Sequence, residues 1–204
     1  DLVRSRGLGD VYKRQVLKSI KIPDSVLDID GAAFAECKEL SDVVLSKNLK
    51  TMGWQVFGND NKLTEIEIPK SLEECRYYRN NDSIDGGTFD NCANLKTVMF
   101  EDGTTEIAEG LFAGCTGIEQ ITIPDTVTVI ESGAFGGCIN LKEIVVPDNV
   151  TEIQSSAFEY CSSLKTVKLS ENLERIGVYA FGDCDVLKSI KIPDSVLDLS
   201  LIHI

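Results

Sequence analysis

From Leu63 the chain reads Leu-Thr-Glu-Ile-Glu-Ile and stops at Pro69, and this alternation of apolar and polar residues returns all along the sequence. Alternation with a period of two predicts a short strand buried on one face. A phenylalanine follows each such strand, at Phe34, Phe57, Phe89, Phe112, Phe135, Phe158 and Phe181, and one regular step in numbering separates each from the next, lengthened only between Phe57 and Phe89. Three residues after each phenylalanine stand Cys37, Asp60, Cys92, Cys115, Cys138, Cys161 and Cys184; six after stand Leu40, Leu63, Leu95, Ile118, Leu141, Leu164 and Leu187. The stretch Ile123 to Leu141 holds one full copy of this phrase.

The end of each strand is equally regular. Pro23, Pro69, Pro124, Pro147 and Pro193 all follow the last apolar residue of a strand, where a residue without an N–H stops ladder pairing. Past that point a second apolar pair recurs, such as Val127 with Ile130 and Val150 with Ile153, and predicts the back of a coil. The Ala-Phe-x-x-Cys segment that comes next is too short for a true helix and reads as a single helical or 3₁₀ turn that drops the phenylalanine inside. The whole is a solenoid, mostly β, with short parallel strands stacked once per period, about 23 residues, over about seven turns. A lone turn cannot bury its own apolar face, so stability has to accrue from stacked neighbours and the repeats form one domain.

The register puts outward residues of each strand in solvent, among them Ser19, Lys21, Asp42, Val44, Glu65, Glu67, Thr97, Met99, Glu143, Val145, Thr166 and Lys168. Polar residues interrupt Val44, Met99 and Val145, so no continuous apolar patch of the kind that marks an obligate interface is expected there.

Composition narrows the function. The 204 residues carry 20 basic and 33 acidic side chains and a formal charge of −13, which argues against nucleic acid and against an anionic membrane surface. No apolar run reaches a membrane-spanning length. The acidity suits the solubility of an extended protein or a cationic partner. The cysteines share core positions and lack the close pairing of metal ligands, so they read as buried free thiols, with no metal and no cofactor expected. The one histidine, His203, lies at the C-terminal end, leaving no histidine to activate a serine or cysteine nucleophile. No phosphate-cradling glycine loop is present. Gly133, Gly136 and Gly137 are expected to serve turns with unusual backbone angles. The sequence therefore predicts a protein that is not an enzyme.

The pattern L-x-x-I-x-I-P-x-x-V-x-x-I-x-x-x-A-F-x-x-C, repeated at this period, resembles the BspA-like branch of the leucine-rich repeats, over residues 16–198. That resemblance implies a leucine-rich repeat solenoid with a parallel sheet on one face, in a protein of the cell surface or secreted, with a role in adhesion or ligand capture. Departures are local: Asp60 stands in the cysteine column, Thr104 in an apolar position, and residues 76–84 are inserted.

Both ends leave the register. Ser5 to Gln15 and Leu199 to Ile204 resemble the translated ends of a sequencing-library adaptor, so residues 1–15 and 199–204 are set apart as non-native tails of a fragment, with any signal or anchor expected outside it. Without the first fifteen residues the chain keeps 16 basic and 31 acidic side chains, a charge of −15. The segment VLKSIKIPDSVLD occurs unchanged at 16–28 and 186–198, which recent duplication and assembly error explain equally well.

Function should sit at the largest departure from the repeat. The insertion places Arg76, Tyr77, Tyr78 and Arg79 in the turn next to Trp54, the only tryptophan, and the register brings both to one flank. Trp, Tyr and Arg are the residues that dominate binding energy at interfaces. Two readings follow: a module that binds a protein or glycan partner through Trp54, Arg76, Tyr77, Tyr78 and Arg79, or a structural spacer with no ligand of its own.

Overall fold

A computed structural model describes residues 16–79 and 83–200. The strands in chain order are β1 (Ser19–Lys21), β2 (Asp28–Ile29), β3 (Asp42–Val44), β4 (Thr51–Met52), β5 (Glu65–Ile68) and β6 (Glu74–Cys75). The insertion adds β7 (Tyr78–Arg79) and β8 (Ile84–Asp85). There follow β9 (Thr97–Phe100), β10 (Glu106–Ile107), β11 (Val129–Ile130), β12 (Glu143–Val145), β13 (Glu152–Ile153), β14 (Thr166–Lys168), β15 (Arg175–Ile176) and β16 (Asp198–Leu199).

These strands build a solenoid of about eight turns, one more than the seven phenylalanines of the repeating column, because the last turn keeps its back strand β16 but contains no phenylalanine. Pairing within the solenoid is parallel throughout. On the front, β1 pairs β3, β5 pairs β9 and β12 pairs β14. On the back run β2-β4-β6 and β10-β11-β13-β15-β16, partners one period apart except across the insertion, where one bridge joins Glu74 to Glu109. Leu199, placed in the tail by the sequence pattern, pairs with Ile176. The remaining tail residues, 1–15 and 201–204, lie outside the described residues.

Burial follows the alternation. All seven phenylalanines and all six cysteines of the column are buried, and the sixteen outward front positions, two in each of the eight turns, are exposed. The rings form one stack through the core, neighbours 5.2 to 5.8 Å apart between centroids. Polar groups are satisfied by the repeat itself. Asn48, Asn140, Asn149 and Asn172 each donate a side-chain amide to a carbonyl 24 residues earlier. In two of the three turns without the proline, Ser46 and Ser170 take its place, and each hydroxyl accepts the backbone N–H two residues on.

One expectation holds and gains a ladder, and one needs correction. The Ala-Phe-x-x-Cys segment closes single turns, with the Cys37 N–H on the Phe34 carbonyl at 3.3 Å and the Cys138 N–H on that of Phe135 at 3.1 Å, but these do not run on into a helix. Except at Gly87, residues two before and two after the phenylalanine take left-handed backbone angles, as at Ala32 (φ 56°) and Glu36 (φ 59°), which ends any helical run. Alternate N–H groups reach the next turn: Phe34 to the Val56 carbonyl at 2.9 Å, Phe135 to Ala157 at 2.8 Å, Phe158 to Ala180 at 2.8 Å. The segment is thus a third side of the coil with its own ladder. The expectation of a strand in every turn fails at 120–122 and 189–191, where the front carries no paired strand. Alternation reports which side chains point inward, and it holds there, with Ile121 half-buried and Ile123 buried; it does not dictate backbone pairing.

The thiols do more than fill space. Cys92, Cys138, Cys161 and Cys184 each donate to the carbonyl of the phenylalanine one turn earlier, at 3.0 to 3.2 Å. Asp60 occupies that column with 0% exposure, and neither carboxyl oxygen makes a hydrogen bond of normal geometry. Burial pushes its pKa up to about 8, which the Cys37 backbone offsets slightly, so near neutral pH it is largely a neutral acid.

Candidate binding flank

The flank in question is the edge of the third side, where each turn passes from its back strand into its phenylalanine. Trp54 stands three residues before Phe57 and is 52% exposed. Its indole lies back over the first turn, where a Cβ on Gly31 would come within 2.7 Å of Nε1. Glycine at 31 is what lets the ring lie flat against the coil.

The insertion leaves the coil on the same edge and runs the other way. Strands β7 and β8 form an antiparallel hairpin, Tyr78 opposite Asp85 and Arg79 opposite Ile84. Residues 80–82 fall outside the described residues. The hairpin lies along the flank over four successive turns. The ring of Tyr77 covers Gly110 and Gly133, whose hypothetical Cβ atoms would sit 2.3 Å from Cδ1 and 2.6 Å from Cζ. Ile84 is buried against Gly136 and Gly137. Arg79 reaches Glu159 with both Nε (3.1 Å) and Nη2 (3.0 Å), and its guanidinium stands 5.8 Å from the centre of the Tyr179 ring. The Glu159 side chain is only 2% exposed, so this acid is bonded from above inside the flank. Burial, and after it the charge of Glu109, pushes the Tyr77 hydroxyl above its ordinary pKa.

The five candidate residues therefore divide. Trp54, Arg76 and Tyr78 face solvent, Tyr78 at 60% exposure. Tyr77 and Arg79 hold the hairpin down. The exposed aromatics are linked through the backbone: the Gln55 N–H donates to the Gly86 carbonyl at 3.1 Å, and Gly86 lies against the Cβ of Tyr78. Below the hairpin an open groove of about 730 Å³ is lined by Asp85, Asp90, Asp183 and Asp185, with no basic residue among the described residues of its walls. Asp90 is buried, accepts from Gln55 Nε2 at 2.7 Å, and is pushed up in pKa chiefly by that burial. Among the described residues no group of three ligating side chains is placed to hold a metal.

Sequence reasoning missed Glu159 and the glycines. A signal was there: the position after the phenylalanine is Ala35, Gly58, Ala113, Gly136 and Gly182 in five turns, and only Asp90 and Glu159 break the run of small residues.

This flank belongs to a repeat with parallel strands and a phenylalanine stack, and the sequence profile of the BspA type leucine rich repeat region matches residues 10–81 and 82–201 in six copies. The chain belongs to that family. No curated protein sequence matches it. Among solved structures, a leucine-rich repeat protein from Eubacterium ventriosum is similar at 24% identity and a TM-score of 0.49, over 89% of this chain and 40% of that one. The T. pallidum leucine rich repeat protein is similar at 23% identity and TM-score 0.49, over 85% and 66% of the two chains. A leucine rich cell surface protein from Faecalibacterium prausnitzii follows at 22% identity and TM-score 0.41, over 90% and 69%. This BspA-type chain thus spans less than half of the first relative and just under two thirds of the second.

Proposed function

We propose that this BspA-type repeat chain is a segment of a bacterial cell-surface or secreted protein and works without catalysis, as a module that binds a protein or glycan partner on the flank displaying Trp54 and Tyr78. The observation that carries the reading is the exposure of these two large aromatics, 52% and 60%, in a coil whose seven stacked phenylalanines are buried. The Trp54 ring rests on Gly31, so it needs no ordering at the moment of contact, and Tyr78 is carried on the paired strand β7. A flat, half-exposed aromatic face suits stacking on a sugar ring or the centre of a protein contact. The family to which the chain belongs supports a place at the cell surface.

The test is to measure binding of the purified chain to a panel of immobilised glycans and surface-protein ectodomains, native against the Trp54→Ala/Tyr78→Ala double variant. At least a tenfold loss on the ligand that binds the native chain, about 1.4 kcal/mol, is expected. An unchanged affinity rejects the flank.

The spacer reading has one observation in its favour, the uniformity of the rings from Phe135 to Phe181, stacked at 5.2 Å and within 7° of parallel. A spacer tolerates excision of one whole turn with function scaling with length, and is indifferent to the double variant.

A further inference from the structure

The glycines beneath the hairpin are not there for their backbone angles. Gly110 and Gly133 have φ of 60° and 63°, but the same position in other turns holds Ala32, Gln55, Ser156 and Tyr179 at 47° to 59°. Gly114 and Gly137 have φ of 72° and 71°, and their position is held elsewhere by Glu36, Asn59, Tyr160 and Asp183 at 53° to 62°. Residues with side chains evidently fit this backbone. What glycine supplies in the two central turns is depth, since almost any Cβ there would collide with the hairpin or with the residues next to it.

The hairpin sits in that depression as a ligand sits in a site. Strands β7 and β8 pair with each other, and among the described residues no backbone hydrogen bond ties Tyr78, Arg79, Ile84 or Asp85 to the solenoid. The grip comes from side chains: an aromatic ring on bare glycines, an arginine two residues later on a buried carboxylate, and an isoleucine in the floor. Glu159 makes sense only with a cation above it, because a carboxylate so fully covered is costly without a bonded partner. A planar guanidinium matches both of its oxygens, which an ammonium cannot do.

We propose that this depression is a peptide-recognition groove for an extended partner segment carrying an aromatic residue and, two positions on, an arginine, and that the hairpin is its built-in occupant. A tethered occupant competes at an effective concentration of about a millimolar. A free segment of the same chemistry is therefore excluded until the hairpin's grip is loosened. The groove is independent of Trp54 and Tyr78, so this inference stands or falls apart from the flank proposed above.

The probe is a synthetic peptide with the sequence of residues 76–85. Titrated into the full chain carrying Tyr77→Ala and Arg79→Ala, which strips the hairpin of its anchors, it should bind at least tenfold more tightly than to the native chain. Adding Glu159→Gln should weaken that binding at least tenfold, and so should lysine in place of the second arginine of the peptide. Absence of binding at millimolar peptide, or binding indifferent to Glu159→Gln, overturns the proposal. A second measurement needs no variant. In native-state hydrogen exchange the amides of β7 and β8 should open at least tenfold faster than those of Phe112 and Phe135 in the adjoining ladder, and equal protection overturns the proposal by showing the hairpin to be a fixed part of the fold. A concentration-dependent dimer of the native chain with exchanged hairpins would place a second copy in the groove and overturn the partner reading.

Discussion

Arg79 and Glu159, eighty positions apart in the chain, meet through two hydrogen bonds of 3.0 and 3.1 Å, the carboxylate covered and the guanidinium partly in water. Loss of the arginine leaves a buried acceptor without its donor. Arg79→Ala should destabilise the chain by about 2 kcal/mol, and should cost clearly less in a chain that already carries Glu159→Gln. Denaturant midpoints of the four proteins in this cycle measure the coupling, and strict additivity would show that the pair contributes nothing.

Asp60 makes stability depend on pH in the opposite sense to an ordinary carboxylate. Its pKa is near 4 unfolded and about 8 folded, so between those values the unfolded chain has released a proton that the folded chain retains. Its contribution to stability is whole below about pH 4 and falls as pH rises toward 8. Asp60→Cys restores the thiol column and removes the slope, so it should gain on the order of 3 kcal/mol at pH 7 and little at pH 4. Urea unfolding of both chains at pH 4, 5.5 and 7 tests this, and parallel curves would refute it.

Gly133→Ala places a methyl group 2.6 Å from Cζ of Tyr77, although the backbone angle itself tolerates a side chain. The expected cost is about 1 to 3 kcal/mol, with a blue shift or loss of the buried-tyrosine signal. Ser156→Ala, at the same position one turn on, is the matched control and should stay within about 0.5 kcal/mol. Equal effects at the two sites would mean that the hairpin does not rest on Gly133.

The cysteines should be inert while the coil is folded. Burial pushes Cys75 and Cys115 to about 12, and the column thiols Cys138 and Cys161 well above the usual thiol value. A thiol reagent at pH 8 should label none of the seven quickly in the native chain and all of them in denaturant. Cys184, close to the C-terminal end, should react before Cys115. Rapid native labelling of Cys115 would contradict its place in the core.

The columns of Phe, Leu and Cys were legible in the sequence because a stacked coil repeats each environment once per turn, so one alignment of the chain on itself reveals the core. Two things were not legible for the same reason. The Ala-Phe-x-x-Cys segment shows its local turn in the sequence, but the partners of its ladder, such as Val56 for Phe34, lie a full turn away. The insertion has no second copy to align with. Arg79 could be seen in the sequence as an arginine in a loop, but its partner Glu159 is fixed by how four turns pile up, a distance no local pattern contains. Tyr77 and Tyr78 look alike as neighbours, and only the glycines of the later turns send one down onto the coil and leave the other facing out.

The hairpin also changes how the molecule carries load. A bare coil pulled from its two ends would unspool one turn at a time, since each turn is held only by the next. Here the tether rooted at Cys75 is bonded as far along as Glu159, so tension reaching the middle of the chain must part Tyr77 from its glycines and Arg79 from its carboxylate in the same event. The outer turns would yield as a soft spring, and the strapped turns would give way as a single stiff block.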